Sequence, residues 1–103
     1  MTITEIKGTN EYTLLVEGRI DTTTSPQLQE KLLITFQKVN NVILDFDKCE
    51  FISSAGLRAL LIGQKTAQSK RGSMKLINVN EVVVSVFEVT GFDSILTFET
   101  KTE

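Results

Sequence analysis

The chemistry-bearing stretch of this chain is Asp45-Phe46-Asp47-Lys48-Cys49-Glu50-Phe51-Ile52-Ser53-Ser54-Ala55-Gly56-Leu57. Val42-Ile43-Leu44 leads into it, and a helical apolar spacing, Leu57, Leu60, Leu61, follows it. Two hydroxyls therefore stand where a strand and loop feed the first turn of a helix. That turn has unpaired backbone N–H groups and the positive end of the helix dipole, surroundings that suit a phosphate. Ser53 can cap the helix by accepting from the N–H of residue 55 or 56, and losing such a cap costs about 1 kcal/mol. Gly56 is a poor helix former, about 1 kcal/mol worse than Ala. Its presence implies either close access to the backbone or a tightly packed neighbour. On these grounds both a cap and a modification or ligand site fit the pair.

Little else in the chain offers chemistry. There is no histidine, which removes Ser-His and Cys-His pairs and the commonest transition-metal ligand. The Asp and Glu residues show no metal-loop spacing, so no metal, cofactor or catalytic residue is expected. Cys49 is the single cysteine and has no internal disulfide partner; a redox role would need an accessible, low-pKa thiol, and a small residue beside a strand end is the plainer reading. Eleven basic against thirteen acidic residues argue against nucleic acid or an anionic membrane as a direct partner. Lys70-Arg71, the densest basic pair, is placed to serve a helix C-terminus. No apolar run approaches the roughly 18 residues of a membrane span, and the start, Met1-Thr2-Ile3-Thr4-Glu5, lacks a signal-peptide pattern. A cytoplasmic protein without membrane insertion is expected.

The elements that must position the serines follow from periodicity and turn chemistry. Residues 3–7 and Tyr12 to Glu17 alternate around Gly8-Thr9-Asn10-Glu11, predicting an N-terminal β-hairpin. Gly18-Arg19-Ile20-Asp21 then leaves the strand. Ser25-Pro26 opens a helix, serine as cap and proline at the first position, with Leu28, Leu32, Phe36 and Val39 on one face. Val42 to Phe46 reads as a buried strand. The helix after Ser53 turns Leu57, Leu60, Leu61 and Ala67 inward and ends at Lys70-Arg71-Gly72, where glycine can take a positive φ. Met74 to Val79 is the next strand. Residues 82–89 are β-branched, yet Asn80 can cap, Glu81 suits a first turn and Gly91 can stop a helix, so a helix is predicted. Ile95 to Phe98 makes a last short strand. Strands alternating with helices predict an α/β fold with parallel neighbours and right-handed crossovers.

Four segments, in order, carry a resemblance: Gly18-Arg19-Ile20-Asp21, Val42-Ile43-Leu44-Asp45-Phe46, Phe51-Ile52-Ser53-Ser54-Ala55-Gly56-Leu57 and Val89-Thr90-Gly91-Phe92. With them the chain resembles a STAS domain, and within that family a bacterial anti-sigma-factor antagonist. The resemblance implies one STAS domain over residues 1–103, with a mixed sheet of about four or five strands, the N-terminal hairpin and three or four helices from alternating βα units. The family's regulatory members share Asp-Ser-Ser/Thr/Ala-Gly-Leu, whose first serine is the phosphoacceptor. Anchored on Gly56-Leu57, that acceptor is Ser54, with Ser53 the runner-up. Ser53 stands where aspartate is frequent, so the capping position here lacks a charge. Asp21 matches the family's loop aspartate, which implies a place beside Ser54 facing a partner; alternatively its carboxylate bonds the backbone of residues 22–24 as a turn residue. Asp21, Ser53, Ser54, Gly56 and Leu57 are the candidate partner-binding residues.

The implied activity is partner exchange. The unmodified protein would bind an anti-sigma factor with serine kinase activity and so free a sigma factor. Phosphorylation would release it, and a serine phosphatase would reset it; the chain itself would not be an enzyme. The alternative within the family is an adaptor subunit of a signalling or lipid-transport complex that never cycles phosphate. A small enzyme or nucleotide-binding domain is the third reading, but neither Gly-x-Gly-x-x-Gly nor Gly-x4-Gly-Lys-Ser/Thr is present.

Overall fold

Alternating apolar residues build the sheet. In the computed structural model, which describes residues 1–102, Thr2–Lys7 (β1) and Glu11–Ile20 (β2) form the expected antiparallel hairpin. Asn41–Asp45 (β3), Ser73–Val79 (β5) and Thr97–Thr100 (β6) add to β2 in parallel, and Cys49–Ile52 (β4) pairs with the far end of β2. The order is β1-β2-β3-β5-β6, with β4 beside the path. Three helices connect the strands: Ser25–Lys38 (α1), Ser54–Ser69 (α2) and Glu81–Thr90 (α3). The result is a mixed six-stranded sheet in an α/β fold.

Period-2 alternation decides which side of the sheet the helices cover. Leu14, Val16, Val42, Leu44, Met74 and Leu76 point to one face and are buried under α1 and α2. Their alternates Thr13, Leu15, Ile43 and Lys75 remain half-exposed on the other. The apolar stripe of α1 is the one its spacing predicts: Leu28, Leu32, Phe36 and the following Val39 are all buried. In α2, Leu57, Leu60 and Ala67 are buried, whereas Leu61 is half-exposed on the outward side.

Residues 82–89 are helical, and the expected stops hold them. The Asn80 side chain accepts from the Val83 N–H at 2.9 Å, and Gly91 ends α3 with φ of 80°. Val83 and Phe87 face the core, where Phe87 meets Phe98 of β6 edge-on at 5.2 Å.

Four local expectations change. First, β4 is a strand that the periodicity does not disclose; its Cys49, Phe51 and Ile52 pair with Gly18, Arg19 and Ile20, so β2 does not stop at Glu17. The register shifts between Gly18 (φ 102°) and Arg19, where β4 carries the extra residue Glu50, and β2 continues through it. Second, Ser25 is the first residue of α1 rather than its cap; the cap position is Thr24, which makes no side-chain cap bond. Third, Arg71 and not Gly72 takes the positive φ, at 57°. Gly72 lies under the Asn40 backbone, and a Cβ there would land on the Asn40 carbonyl oxygen. Lys70 also serves a different helix end, donating to the Val39 carbonyl at 3.2 Å beyond α1. Fourth, β6 begins at Thr97, because Phe92–Ser94 forms a 3-10 turn that delivers buried Leu96 first.

Candidate functional site

The parallel pairing of β2 with β4 brings two distant segments together. Ile20 is the partner of Ile52, and the Ser53 N–H donates to the Ile20 carbonyl at 2.8 Å. Asp21 and Ser53 therefore leave neighbouring strands side by side, so the aspartate loop and the serine pair share one end of the sheet.

Ser53 has extended backbone (φ −95°, ψ 176°), as a cap requires. Its hydroxyl accepts from the Gly56 N–H at 3.4 Å, a long bond, and its carbonyl accepts the first helical bond from Leu57 at 3.0 Å. Ser54 is the first residue of α2 and is exposed. Its hydroxyl makes no hydrogen bond among the described residues. The pair is thus divided: one hydroxyl serves the backbone and the other meets solvent. The first turn holds no acidic side chain, so the helix's N-terminal partial positive charge is not offset there.

Gly56 and Leu57 do not face outward with Ser54. Leu57 is 3% exposed, and Gly56 is buried. A Cβ on Gly56 would sit 2.6 Å from Ile52 Cγ1 and 2.7 Å from Ile20 Cγ2. Of the two explanations for a glycine in this turn, tight packing applies. The bare Cα lets α2 settle directly on the paired isoleucines that end β2 and β4. The two residues seat the helix start from beneath rather than forming its outer surface.

Asp21 organises the adjoining loop. Its Oδ1 accepts from the Thr23 N–H (3.0 Å), the Thr23 hydroxyl (2.7 Å) and the Thr24 N–H (3.1 Å). The Thr24 hydroxyl ties the turn back, donating to the Arg19 carbonyl at 2.8 Å while the Asp21 N–H donates to it at 2.8 Å. The Asp21 carbonyl accepts from Ser25 N–H at 2.8 Å, opening α1. The expected turn role is present at Thr23 and Thr24, and it coexists with the position beside Ser53. The Thr23 hydroxyl, then the Thr24 and Thr23 N–H groups, hold the carboxyl below its ordinary 3.8. A depressed pKa means that these bonds stabilise the fold above that ordinary value. The contribution is lost as pH falls through the depressed one.

Two neighbours lie beside this surface, one exposed and one buried. The Arg19 guanidinium stacks on Phe51 at 4.6 Å from the ring centroid, a contact worth roughly 0.5–1 kcal/mol at an exposed site. It fixes a cation at the rim, and it depends on the β2–β4 register that the sequence pattern did not disclose. Cys49 is 1% exposed, and burial pushes its thiol up to about 11. No reactive thiolate forms there at neutral pH. Among the described residues no group of three or more His, Cys, Asp or Glu side chains could hold a metal. Among those residues no helix is long and apolar enough to cross a membrane.

Fold and site together define a class: a small α/β domain whose sheet end presents a solvent-facing serine at a helix start, beside a carboxylate-organised loop. The chain belongs to the STAS domain family, whose model matches residues 1–103. It is 33% identical over 81 residues to BtrV of Bordetella bronchiseptica, covering 78% of this chain and 70% of that protein. It is 27% identical over 94 residues to the anti-sigma-B factor antagonist of Bacillus subtilis, covering 91% of this chain and 86% of that protein. Its fold matches the anti-sigma factor antagonist SpoIIAA, solved unphosphorylated (TM-score 0.81, 19% identity, 97% of this chain and 90% of that chain). It also matches the phosphorylated form (TM-score 0.73, 18% identity, 97% and 93%).

Proposed function

We propose that this protein is an anti-sigma-factor antagonist gated by phosphorylation of Ser54. The observation that carries the reading is the division of labour at the start of α2. Ser53 occupies its hydroxyl with the Gly56 N–H, while Ser54, one residue on, is exposed and unbonded among the described residues. Membership of the STAS family and relatives named as anti-sigma factor antagonists support it.

In this reading the unmodified protein binds an anti-sigma factor that is also a serine kinase, and the sigma factor held by that kinase is freed. The chemistry belongs to the partner. The γ-phosphoryl group of the kinase's ATP passes to Ser54 Oγ, the hydroxyl proton is lost, and ADP leaves. The chain contributes an accessible hydroxyl held at a fixed point by the seat of Gly56 on Ile20 and Ile52. A phosphoserine adds about −1.5 to −2 charge. The domain accommodates it, since a helix N-terminus favours an anion. An interface built around a neutral hydroxyl does not. A phosphatase then restores the binding form. Asp21, on the loop beside Ser53, completes the partner-facing surface.

The test is sigma release. Adding the unmodified protein to a preformed complex of the anti-sigma factor and its sigma factor is expected to displace the sigma factor, seen as a new species by native mass spectrometry. An intact complex at large excess of the protein contradicts the reading and favours the adaptor role.

A further inference from the structure

The charge of this chain is segregated. From Ser54 to Gly72 the sequence carries four basic side chains and no acidic one, while the rest carries seven basic against thirteen acidic. The structure concentrates part of this on one surface. Ser54, Arg58, Leu61, Lys65 and Ser69 follow the spacing of a single helical face. All are exposed except half-exposed Leu61 at the centre. Neither Arg58 nor Lys65 makes an ion pair among the described residues; the cations paired there are Lys31, Lys48, Lys75 and Lys101. On α3 the pattern is opposite, with Glu81 and Glu88 and no base.

The geometry points to the outward face of α2 as a docking stripe for an acidic surface of the kinase partner, with Ser54 at its head and Leu61 as its apolar centre. This rests on the reading of Ser54 given above. A basic stripe in a chain of net charge −2 selects for an acidic patch and orients the approach, because opposite potentials steer encounter and fix register. It also explains what the phosphoryl group does at a distance. Its charge of about −1.5 to −2 is close in size to the sum of Arg58 and Lys65 and opposite in sign. Arg58 lies one turn along from Ser54, the helical spacing at which opposite charges pair. Phosphorylation therefore cancels the stripe's attraction as well as obstructing the contact at Ser54.

The experiment compares the full-length protein with its Lys65→Glu and Glu88→Lys variants for binding to the purified anti-sigma factor, between about 50 and about 500 mM salt. The expected result is a loss of tenfold or more in affinity for Lys65→Glu at low salt, carried mainly by slower association. The wild type is expected to weaken as salt rises, and Glu88→Lys to stay within twofold of it. If Lys65→Glu binds like the wild type while Ser54→Asp does not bind, the stripe proposal is overturned and the Ser54 reading stands. If the wild type fails to bind the anti-sigma factor at any salt, both fall. Binding to phosphatidylglycerol vesicles that Lys65→Glu abolishes, with unchanged affinity for the anti-sigma factor, overturns the proposal in favour of a lipid surface.

Discussion

Ser54→Asp is expected to weaken binding to the anti-sigma factor by more than about a hundredfold, roughly 3 kcal/mol, while Ser54→Ala binds as tightly as the wild type and is never released. The argument is one of location. An exposed hydroxyl at the first position of α2 can be enclosed by a partner at small cost because it is neutral. A carboxylate at the same point must lose its water, and the cost of burying an unpaired charge falls on the complex. The isolated domain experiences the opposite effect. An anion in a helix's first turn stabilises it by about 0.3–1 kcal/mol, and this turn has no acidic side chain of its own. Thermal unfolding of Ser54→Asp should therefore match or slightly exceed the wild type, so that lost binding cannot be lost folding. Because one carboxylate carries less charge than a phosphoserine, the mutant effect is a lower bound on that of the modification. Equal affinity of the two variants would show that charge at Ser54 is not the gate.

The largest effect on stability is expected at Gly72. Its position where α2 gives way to β5 puts any Cβ on the Asn40 carbonyl oxygen, the same oxygen that accepts from the Ser73 N–H at 3.0 Å. The obstruction is backbone, so no rotamer change relieves it. Gly72→Ala must spread the starts of β3 and β5 or break that bond. Overpacking costs about 1–3 kcal/mol, occasionally more, and an unyielding neighbour argues for the upper end. For a domain of this size that lowers Tm by more than about 10 °C. Arg71→Gly is the contrasting variant. Arg71 holds the left-handed φ of 57°, a conformation that glycine adopts without the Cβ conflict, and its Tm should be unchanged or raised. Thermal melts of the two variants decide the matter. A Gly72→Ala protein that melts with the wild type would contradict the expected conflict with the Asn40 carbonyl.

The same two residues show what could be read from the sequence and what could not. A basic pair followed by glycine announced a helix end correctly, because dipole and chain reversal are local matters. Which residue takes the left-handed turn depended on how near Asn40 lies, a contact between segments 32 residues apart, and it was read wrongly. Residues 82–89 succeeded for a local reason as well. Their β-branched side chains favour a strand, but the Asn80 cap and the Gly91 stop prevailed, and Val83 and Phe87 found a core to fill. β4 failed because four residues bearing Cys49 and Glu50 carry too little periodicity to stand out. Without β4 as a partner, Gly18-Arg19-Ile20 reads as the exit from β2 rather than its continuation.

The candidate site divides along the same line. That Ser53 caps and Ser54 does not was legible, since capping follows from position alone. That Asp21 stands next to Ser53 was not derivable from spacing; it follows from the Ile20–Ile52 pairing across the sheet. Gly56 was legible as an anomaly in a helix, and only the two isoleucines beneath it decided between an open approach and a tight seat.

The most direct test of the central claim is to incubate the full-length protein with the purified anti-sigma factor and Mg²⁺-ATP, then locate the modification by fragment mass spectrometry. The expected result is one phosphoryl group per chain, on Ser54, and none on the Ser54→Ala variant. A phosphoryl group on Ser53, or an unmodified protein after the kinase has bound it, would contradict the account.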